Sequence, residues 1–211
     1  EKLMASDASG KGHTAVTVAA LHAALIRLAA ATHEAAAELN AADGALGDGD
    51  LGITVSRGFA EAAAAHLPDD LGLAFMECAK AMQRVSSSSY GTLLATAAMA
   101  AAKATKGRTE IDPSEIPDLI EKALAAMMLR GKAALGDKTV LDVLDAVARA
   151  TRDAPPDELY GRSLSAAREA LEAFKGKPNK IGRARMFGDK SIGLYDPGQL
   201  ALVRIIEGLG E

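Results

Sequence analysis

The sequence contains no tryptophan, and aromatic residues make up only 3% of its 211 positions. A hydrophobic core must therefore be built from aliphatic side chains and from alanine, which forms roughly a fifth of the chain. Alanine loses almost no side-chain entropy in a helix, so this composition favours an all-α fold. No run of uncharged apolar residues is long enough to cross a bilayer, and we therefore expect no membrane partner.

The chain has one cysteine, Cys78, and no excess of positive charge. A single cysteine cannot form an internal disulfide, which favours a reducing, cytoplasmic setting. The formal net charge of -4 makes nucleic acid an unexpected partner, because binding to its phosphates requires a basic surface. No Walker A motif is present, and the one G-x-G-x-x-G match, Gly47–Gly52, follows no predicted strand, so we expect neither a P-loop nor a Rossmann nucleotide site.

Apolar residues recur at helical spacing along most of the chain, and no window alternates as a strand would. The pattern predicts an all-α, single-domain barrel or bundle of about eight antiparallel helices. We expect residues 1–13 to be a flexible N-terminus and residues 14–211 to form the helical domain. The predicted helices cover about 17–39, 54–66, 71–84 and 90–105, then one that opens at Asp112, one from Val140 to just before Pro155, one around 160–174, and one from Asp196 to 209.

The most informative segment is a loop rich in aspartate and glycine between the first two predicted helices. Asp43, Asp48 and Asp50 place three carboxylates within eight residues, and the intervening glycines allow the backbone to turn them inward. Carboxylate oxygens are ligands that Mg²⁺ prefers, so the loop is a candidate magnesium site. The alternative is an ordinary turn, since aspartate and glycine are also common in turns for conformational reasons.

Several other polar segments stand at or near helix starts, where free N–H groups and the helix dipole attract phosphates. The same residues could equally serve as plain helix caps. These segments are Gly136–Thr139, Gly188–Ser191, Asp196–Gly198 and the serine run Ser86–Ser89. A basic cluster in the long loop after the seventh helix is a candidate anion site or a solvated loop surface; it comprises Lys177, Lys180, Arg183, Arg185 and Lys190.

Taken in chain order, these loops resemble those of one family, the nucleotide-binding L subunit or C-terminal domain of dihydroxyacetone kinases. The resemblance runs from about residue 17 to residue 209. It rests on the stretches 40–50, 129–133 with 136–139, 182–184 with 191–193, and 196–198. It implies an eight-helix barrel that holds ADP or ATP and two Mg²⁺ ions at one end.

The resemblance also assigns roles to residues of this sequence. Asp43, Asp48 and Asp50 would hold the metal ions, and Arg183 would contact the nucleotide as the catalytic residue. The other implied nucleotide contacts are Leu51, Gly52, Ile53, Thr54, Ser88, Ser89, Gly131, Val140, Asp196, Pro197 and Gly198. The chain departs from the family in two places: Leu51 replaces a common histidine or cysteine, and the loop after Val85 is shorter.

The function implied by the resemblance is phosphoryl transfer to a short-chain ketose, either dihydroxyacetone or a tetrulose. Such a subunit would be inactive without a separate K-type subunit that binds the ketose. The phosphoryl donor would be ATP or a protein of the phosphotransferase system, and a homodimer is a further option. Two alternatives are the nucleotide domain of another kinase, such as a fatty-acid kinase, and a non-catalytic nucleotide-binding regulatory or adaptor protein.

Overall fold

Side-chain caps mark the starts of several helices. A threonine, serine or aspartate oxygen accepts a hydrogen bond from an N–H of the first turn, and this satisfies a donor that the helix itself leaves unpaired. The capping residues are Thr17, Asp70, Ser88, Thr139 and Asp196.

The computed structural model describes residues 12–210, and most of this part of the chain is helical. Its α-helices are α1 (Val18–Leu46), α2 (Leu51–Ala64), α3 (Leu71–Val85), α4 (Ser89–Thr105), α5 (Ile116–Gly131), α6 (Val140–Thr151), α7 (Leu159–Lys175) and α8 (Pro197–Leu209). The prediction of an all-α fold with about eight helices is confirmed. Residues 1–11 of the predicted flexible N-terminus lie outside the described residues.

The helices form a closed ring. Each helix packs against the next one in the chain, and α8 packs against α1. The interior combines aliphatic side chains such as Leu39, Val55 and Val203 with buried alanines such as Ala95 and Ala201. These small residues allow close approach of the helices, as the scarcity of aromatic residues requires.

Four helices begin at the same end of the ring. The first residues of α2, α4, α6 and α8 all line one cleft, so their N-termini converge there. Each N-terminus carries a partial positive charge from the aligned peptide dipoles. This end of the ring is therefore suited to anionic ligands. Within residues 12–210 no helix is both long and apolar enough to cross a membrane.

Helix α1 extends seven residues beyond the predicted end at residue 39. Asp43 and Gly44 therefore lie in its last turns rather than in a loop. A glycine costs a helix only about 1 kcal/mol relative to alanine, and burial of Leu46 at the end of α1 compensates for it. The sequence pattern alone overestimated the helix-breaking effect of the glycines.

A short strand pair corrects the expectation that the chain has no strands. β1 (Val16–Thr17) pairs antiparallel with β2 (Glu110–Ile111), and Val16 lies opposite Ile111. Two residues are too few to show alternation, so no pattern in the sequence indicated these strands. The long loop before α8 also differs from its prediction, because 3₁₀ turns span Arg183–Ser191 and are interrupted at Gly188.

Candidate functional site

An open cleft of about 600 Å³ lies at the end of the ring where α2, α4, α6 and α8 begin. Its walls come from segments that are far apart in the sequence: the aspartate-rich loop, the serine run, the start of α6, the 3₁₀ segment and the start of α8. The structure therefore brings most of the predicted loops together, although Gly188–Ser191 does not line the cleft. Of the residues to which the family resemblance assigns a role, all line the cleft except Gly52 and Gly131.

Three carboxylates converge on one side of the cleft. Asp43, Asp48 and Asp50 each place one carboxylate oxygen within 4.8 Å of the others. Burial raises the pKa of Asp50, and the negative charges of Asp48 and Asp43 raise it further. A cation among these oxygens would relieve the repulsion, and a set of hard oxygen ligands open to solvent on one side fits Mg²⁺. The residues present thus fit a magnesium site.

Asp43 also organises the loop that carries the other two carboxylates. Its Oδ2 accepts hydrogen bonds from the backbone N–H groups of Gly49 (3.0 Å), Asp50 (3.0 Å) and Leu51 (3.1 Å). These donors lie at and just before the start of α2, where a helix leaves its N–H groups unpaired. Asp43 therefore joins the end of α1 to the start of α2 and fixes the position of Asp50.

The first turn of α2 divides the predicted phosphate contacts into two groups. Ile53, Thr54 and Leu51 all border the cleft, but Leu51 is buried at 7% exposure and packs mainly in the core. Gly52 faces α1: a Cβ at this position would lie 2.0 Å from the carbonyl oxygen of Ala36. The structure therefore places Gly52 at a helix–helix contact, where only a glycine fits, and not at the surface of the cleft.

Arg183 reaches across the cleft to the acidic cluster. Its guanidinium donates to the Asp48 carboxylate, although the two residues are 135 positions apart in the sequence. This hydrogen bond is the main reason that the pKa of Asp48 is lowered and the pKa of Arg183 is raised. Both side chains are exposed, so a ligand can reach either of them.

Another wall of the cleft contains the serine run. The Ser88 hydroxyl accepts a hydrogen bond from Gly91 N (3.1 Å) as the cap of α4, and it lies 2.9 Å from the Ser86 hydroxyl. Ser89 is exposed at the first position of α4. Of the two predicted contacts, Ser88 is engaged in capping, whereas the Ser89 hydroxyl caps no helix within residues 12–210.

An apolar wall stands next to these polar groups. Tyr90, Leu93 and Val140 line it and pack together with the buried Met127. Gly131 lies behind this wall, where a Cβ would be 3.4 Å from Cδ2 of Leu93. The structure thus brings Val140 to the cleft but leaves Gly131 one layer away from it.

The start of α8 borders the same wall. Asp196 accepts from Gln199 N (2.9 Å) with Oδ2 and from Asn179 Nδ2 (2.8 Å) with Oδ1. Burial raises the pKa of Asp196 to about 6, although these hydrogen bonds act against the rise. The Tyr90 hydroxyl donates to the Gly198 carbonyl (3.1 Å) and so ties α4 to α8.

Two predicted anion sites differ from expectation. In the loop before α6, the Asp142 carboxylate accepts from Gly136 N (2.6 Å) and Thr139 N (2.9 Å), so the loop satisfies its own donors. The side chain of Lys138 in that loop is fully buried and cannot present its charge to a ligand or partner. In the basic cluster after α7, only Arg183 lines the cleft.

Sequence reasoning missed one cation of the cleft, Arg57. It lies on α2 three residues after Thr54, and side chains at this spacing share a helix face. That spacing was the available signal. Within residues 12–210 the Arg57 guanidinium forms no ion pair or hydrogen bond, whereas the guanidinium of Arg183 pairs with Asp48.

Comparison with known proteins matches this chain to one protein family. The DAK2 domain matches residues 45–211. The chain is 33% identical to the PEP-dependent dihydroxyacetone kinase 1, ADP-binding subunit DhaL, of Listeria innocua, over 74% of this chain and 77% of that protein. It is 30% identical to the L-erythrulose 1-kinase of Mycolicibacterium smegmatis, over 83% of this chain and 32% of that protein.

A solved structure has the same fold. The dihydroxyacetone kinase of C. freundii, crystallised in complex with AMP-PNP and Mg²⁺, superimposes with a TM-score of 0.72 over 99% of this chain. The sequence identity is 23%, and this chain spans 37% of that one. The likeness extends over the whole helical ring.

Proposed function

Because the chain belongs to the DAK2 domain family, we propose that it is the nucleotide-binding subunit of a kinase that phosphorylates a short-chain ketose. The observation that carries the proposal is the convergence of three carboxylates and four helix N-termini on one cleft. Phosphoryl transfer depends on positioning and on neutralisation of phosphate charge far more than on a protein nucleophile. The cleft offers groups of both kinds.

The acidic cluster would hold magnesium. Asp43, Asp48 and Asp50 are the ligands, and two Mg²⁺ ions are the number that the family resemblance implies. Bound Mg²⁺ supplies neutralisation of the negative charge on the phosphate oxygens. Asp43 has a second task in this proposal, because its hydrogen bonds to the start of α2 keep the cluster in place before any metal arrives.

The phosphates of ADP or ATP would lie between the acidic cluster and the helix starts. Thr54 and Ser89 offer hydroxyl groups there, and Arg57 and Arg183 offer guanidinium groups. Arg183 is the proposed catalytic residue, since its guanidinium already reaches the cluster and can hold phosphate oxygens during transfer. Arg57 is an additional phosphate contact that the sequence did not suggest.

The adenine base of ADP or ATP would lie on the apolar wall. Tyr90, Leu93 and Val140 present an apolar surface beside the polar part of the cleft, as small-molecule sites commonly do. Pro197 and Gly198 close this side, held by the bond from Tyr90 to Gly198. Gly131 lies behind Leu93 and would support this wall rather than touch the nucleotide.

A K-type subunit would supply the ketose. It would dock on the open side of the cleft and present a hydroxyl group in line with the γ-phosphate. The name of the Mycolicibacterium relative supports a tetrulose as one substrate, and the name of the Listeria relative supports a phosphoenolpyruvate-dependent donor. ATP as the donor, a homodimer and a cytoplasmic setting remain predictions.

A coupled assay of sugar phosphorylation tests the proposal. The chain alone should be inactive towards dihydroxyacetone and erythrulose, and activity should appear when a K-type subunit is added. Asp48→Asn is the matched control, because it removes a metal ligand from the surface. Sugar phosphorylation by the chain alone would contradict the half-enzyme proposal. Binding of Mg-ADP without activity with any K-type subunit would favour the adaptor alternative, and activity only with an acyl-carrying partner would favour the fatty-acid kinase alternative.

A further inference from the structure

Lys138 is a fully buried lysine in the connection between α5 and α6, with 0% of its surface exposed. A buried charge is costly unless it is well hydrogen-bonded. Within the described part of the chain, Lys138 forms no salt bridge, and the negative charge that acts on it is that of Asp196. Burial lowers the pKa of Lys138, and the Asp196 carboxylate partly offsets this effect. The ammonium must therefore be stabilised by other groups.

Those groups are four backbone carbonyls. Nζ of Lys138 donates to the carbonyl oxygens of Lys177 (2.7 Å), Leu194 (2.7 Å) and Ser191 (3.1 Å), and that of Lys175 lies at 3.4 Å. Two of these residues precede the 3₁₀ turns of the α7–α8 connection, and the other two stand at their end or beyond it. One ammonium therefore joins both ends of the connection that carries Arg183.

Other hydrogen bonds close the same connection. Gly193 N donates to the Lys175 carbonyl (2.8 Å), and Asn179 N donates to the Ser191 hydroxyl (2.9 Å). The Asn179 side chain donates to the Lys138 carbonyl (3.1 Å) as well as to Asp196. Lys138 itself has a positive φ of 64°, which is uncommon for a residue with a side chain. The backbone thus adopts an unfavourable conformation at the residue whose ammonium enters this network.

Stability alone is a poor explanation for this arrangement. Replacing buried charged groups with well-packed apolar ones is often neutral or stabilising. The arrangement does fix the position of the segment from which Arg183 extends to Asp48, because a single ammonium binds carbonyls on either side of that segment. We propose that Lys138 is a positioning residue, whose ammonium closes the α7–α8 connection and so holds Arg183 over the acidic cluster. The inference rests on the proposed function, in which Arg183 contacts the nucleotide.

Hydrogen exchange without any ligand is the first test. Lys138→Ala should speed exchange of the amides of residues 177–194 at least tenfold and leave the exchange of α1–α4 unchanged. Lys132→Met is the matched control, since Lys132 is an exposed lysine at a positive φ of 52° in the same α5–α6 connection. Unchanged exchange in Lys138→Ala, or equal changes in both variants, would overturn the inference.

Chemical rescue separates the lost ammonium from general damage. In Lys138→Ala, propylammonium chloride should restore slow exchange and tight binding of Mg-ADP, whereas sodium chloride at equal concentration should not. A variant that is unfolded in both salts would show that Lys138 supports the whole fold, and the positioning role would be wrong. Rescue by both salts would also contradict it.

A double-mutant cycle connects Lys138 to Arg183. Lys138→Ala and Arg183→Ala should each weaken Mg-ADP binding about tenfold or more. The double variant should bind Mg-ADP no more weakly than Arg183→Ala alone. Fully additive losses would show that Lys138 does not act through Arg183. If the wild-type chain does not bind Mg-ADP, the proposed function fails, while the exchange experiment still decides whether Lys138 closes the connection.

Discussion

The two roles of Asp43 lead to a quantitative prediction about Asp43→Ala. The substitution removes three hydrogen bonds from backbone N–H groups to one carboxylate oxygen. A hydrogen bond to a charged group contributes about 1.5–3 kcal/mol. Because these three N–H groups share one oxygen and can bind water once Asp43 is removed, we expect the free energy of unfolding to fall by about 2–4 kcal/mol in total. This loss is a large part of a typical stability of about 5–15 kcal/mol.

Asp48→Asn is the matched comparison within the same cluster. Asp48 is exposed and its side chain pairs with Arg183 across the cleft, so its loss should leave the stability of the metal-free protein nearly unchanged. Both variants should lose Mg-ADP binding. Asp43→Asn, which keeps an acceptor oxygen but not the charge, should fall between the wild type and Asp43→Ala in stability.

Denaturant unfolding in EDTA, followed by circular dichroism, gives the stabilities, and calorimetry gives the Mg-ADP affinities. The reasoning is refuted if Asp43→Ala is as stable as Asp48→Asn in EDTA, because Asp43 would then not hold the start of α2. Undiminished Mg-ADP affinity in Asp48→Asn would remove that residue from the metal site.

Three further predictions concern packing, pH and ligand binding. Gly52→Ala should lower the free energy of unfolding by about 1–3 kcal/mol, because the new Cβ would overlap Ala36. Gly58→Ala on the same helix should change the free energy of unfolding by less than about 1 kcal/mol. Equal effects of the two substitutions in denaturant titrations would contradict the packing argument. Because the pKa of Asp196 is raised to about 6, the native state binds more protons than the unfolded state between its ordinary value of 3.8 and about 6. Relative to Asp196→Asn, the wild type should therefore lose up to about 3 kcal/mol of stability as pH rises through that window. If the difference in free energy of unfolding between the two proteins did not change with pH, the pKa of Asp196 would not be raised. Mg-ADP at a hundredfold excess over its Kd should stabilise the protein by about 2.7 kcal/mol, and a thermal shift no larger than that with Mg²⁺ alone would argue against a nucleotide site.

The helices and the order of the candidate loops could be predicted from the sequence. Apolar spacing and caps act over a few residues, and so the starts of α6 at Val140 and α8 at Pro197 followed from Thr139 and the Asp196-Pro197 pair. The aspartate-rich segment was also visible as a candidate metal site. The predicted end of α1 was wrong because burial of Leu46 outweighed the helix-breaking effect of Gly44.

The sequence by itself determined an all-α chain with polar loops at defined helix junctions, because periodicity and capping are local. Only the tertiary structure decided which loops share a cleft, because contacts such as Arg183 with Asp48 join segments far apart in the chain. It also decided that Gly52 faces α1 and that the charge of Lys138 points inward to backbone carbonyls. A side chain's surroundings depend on how the helices pack, and local sequence carries little of that information.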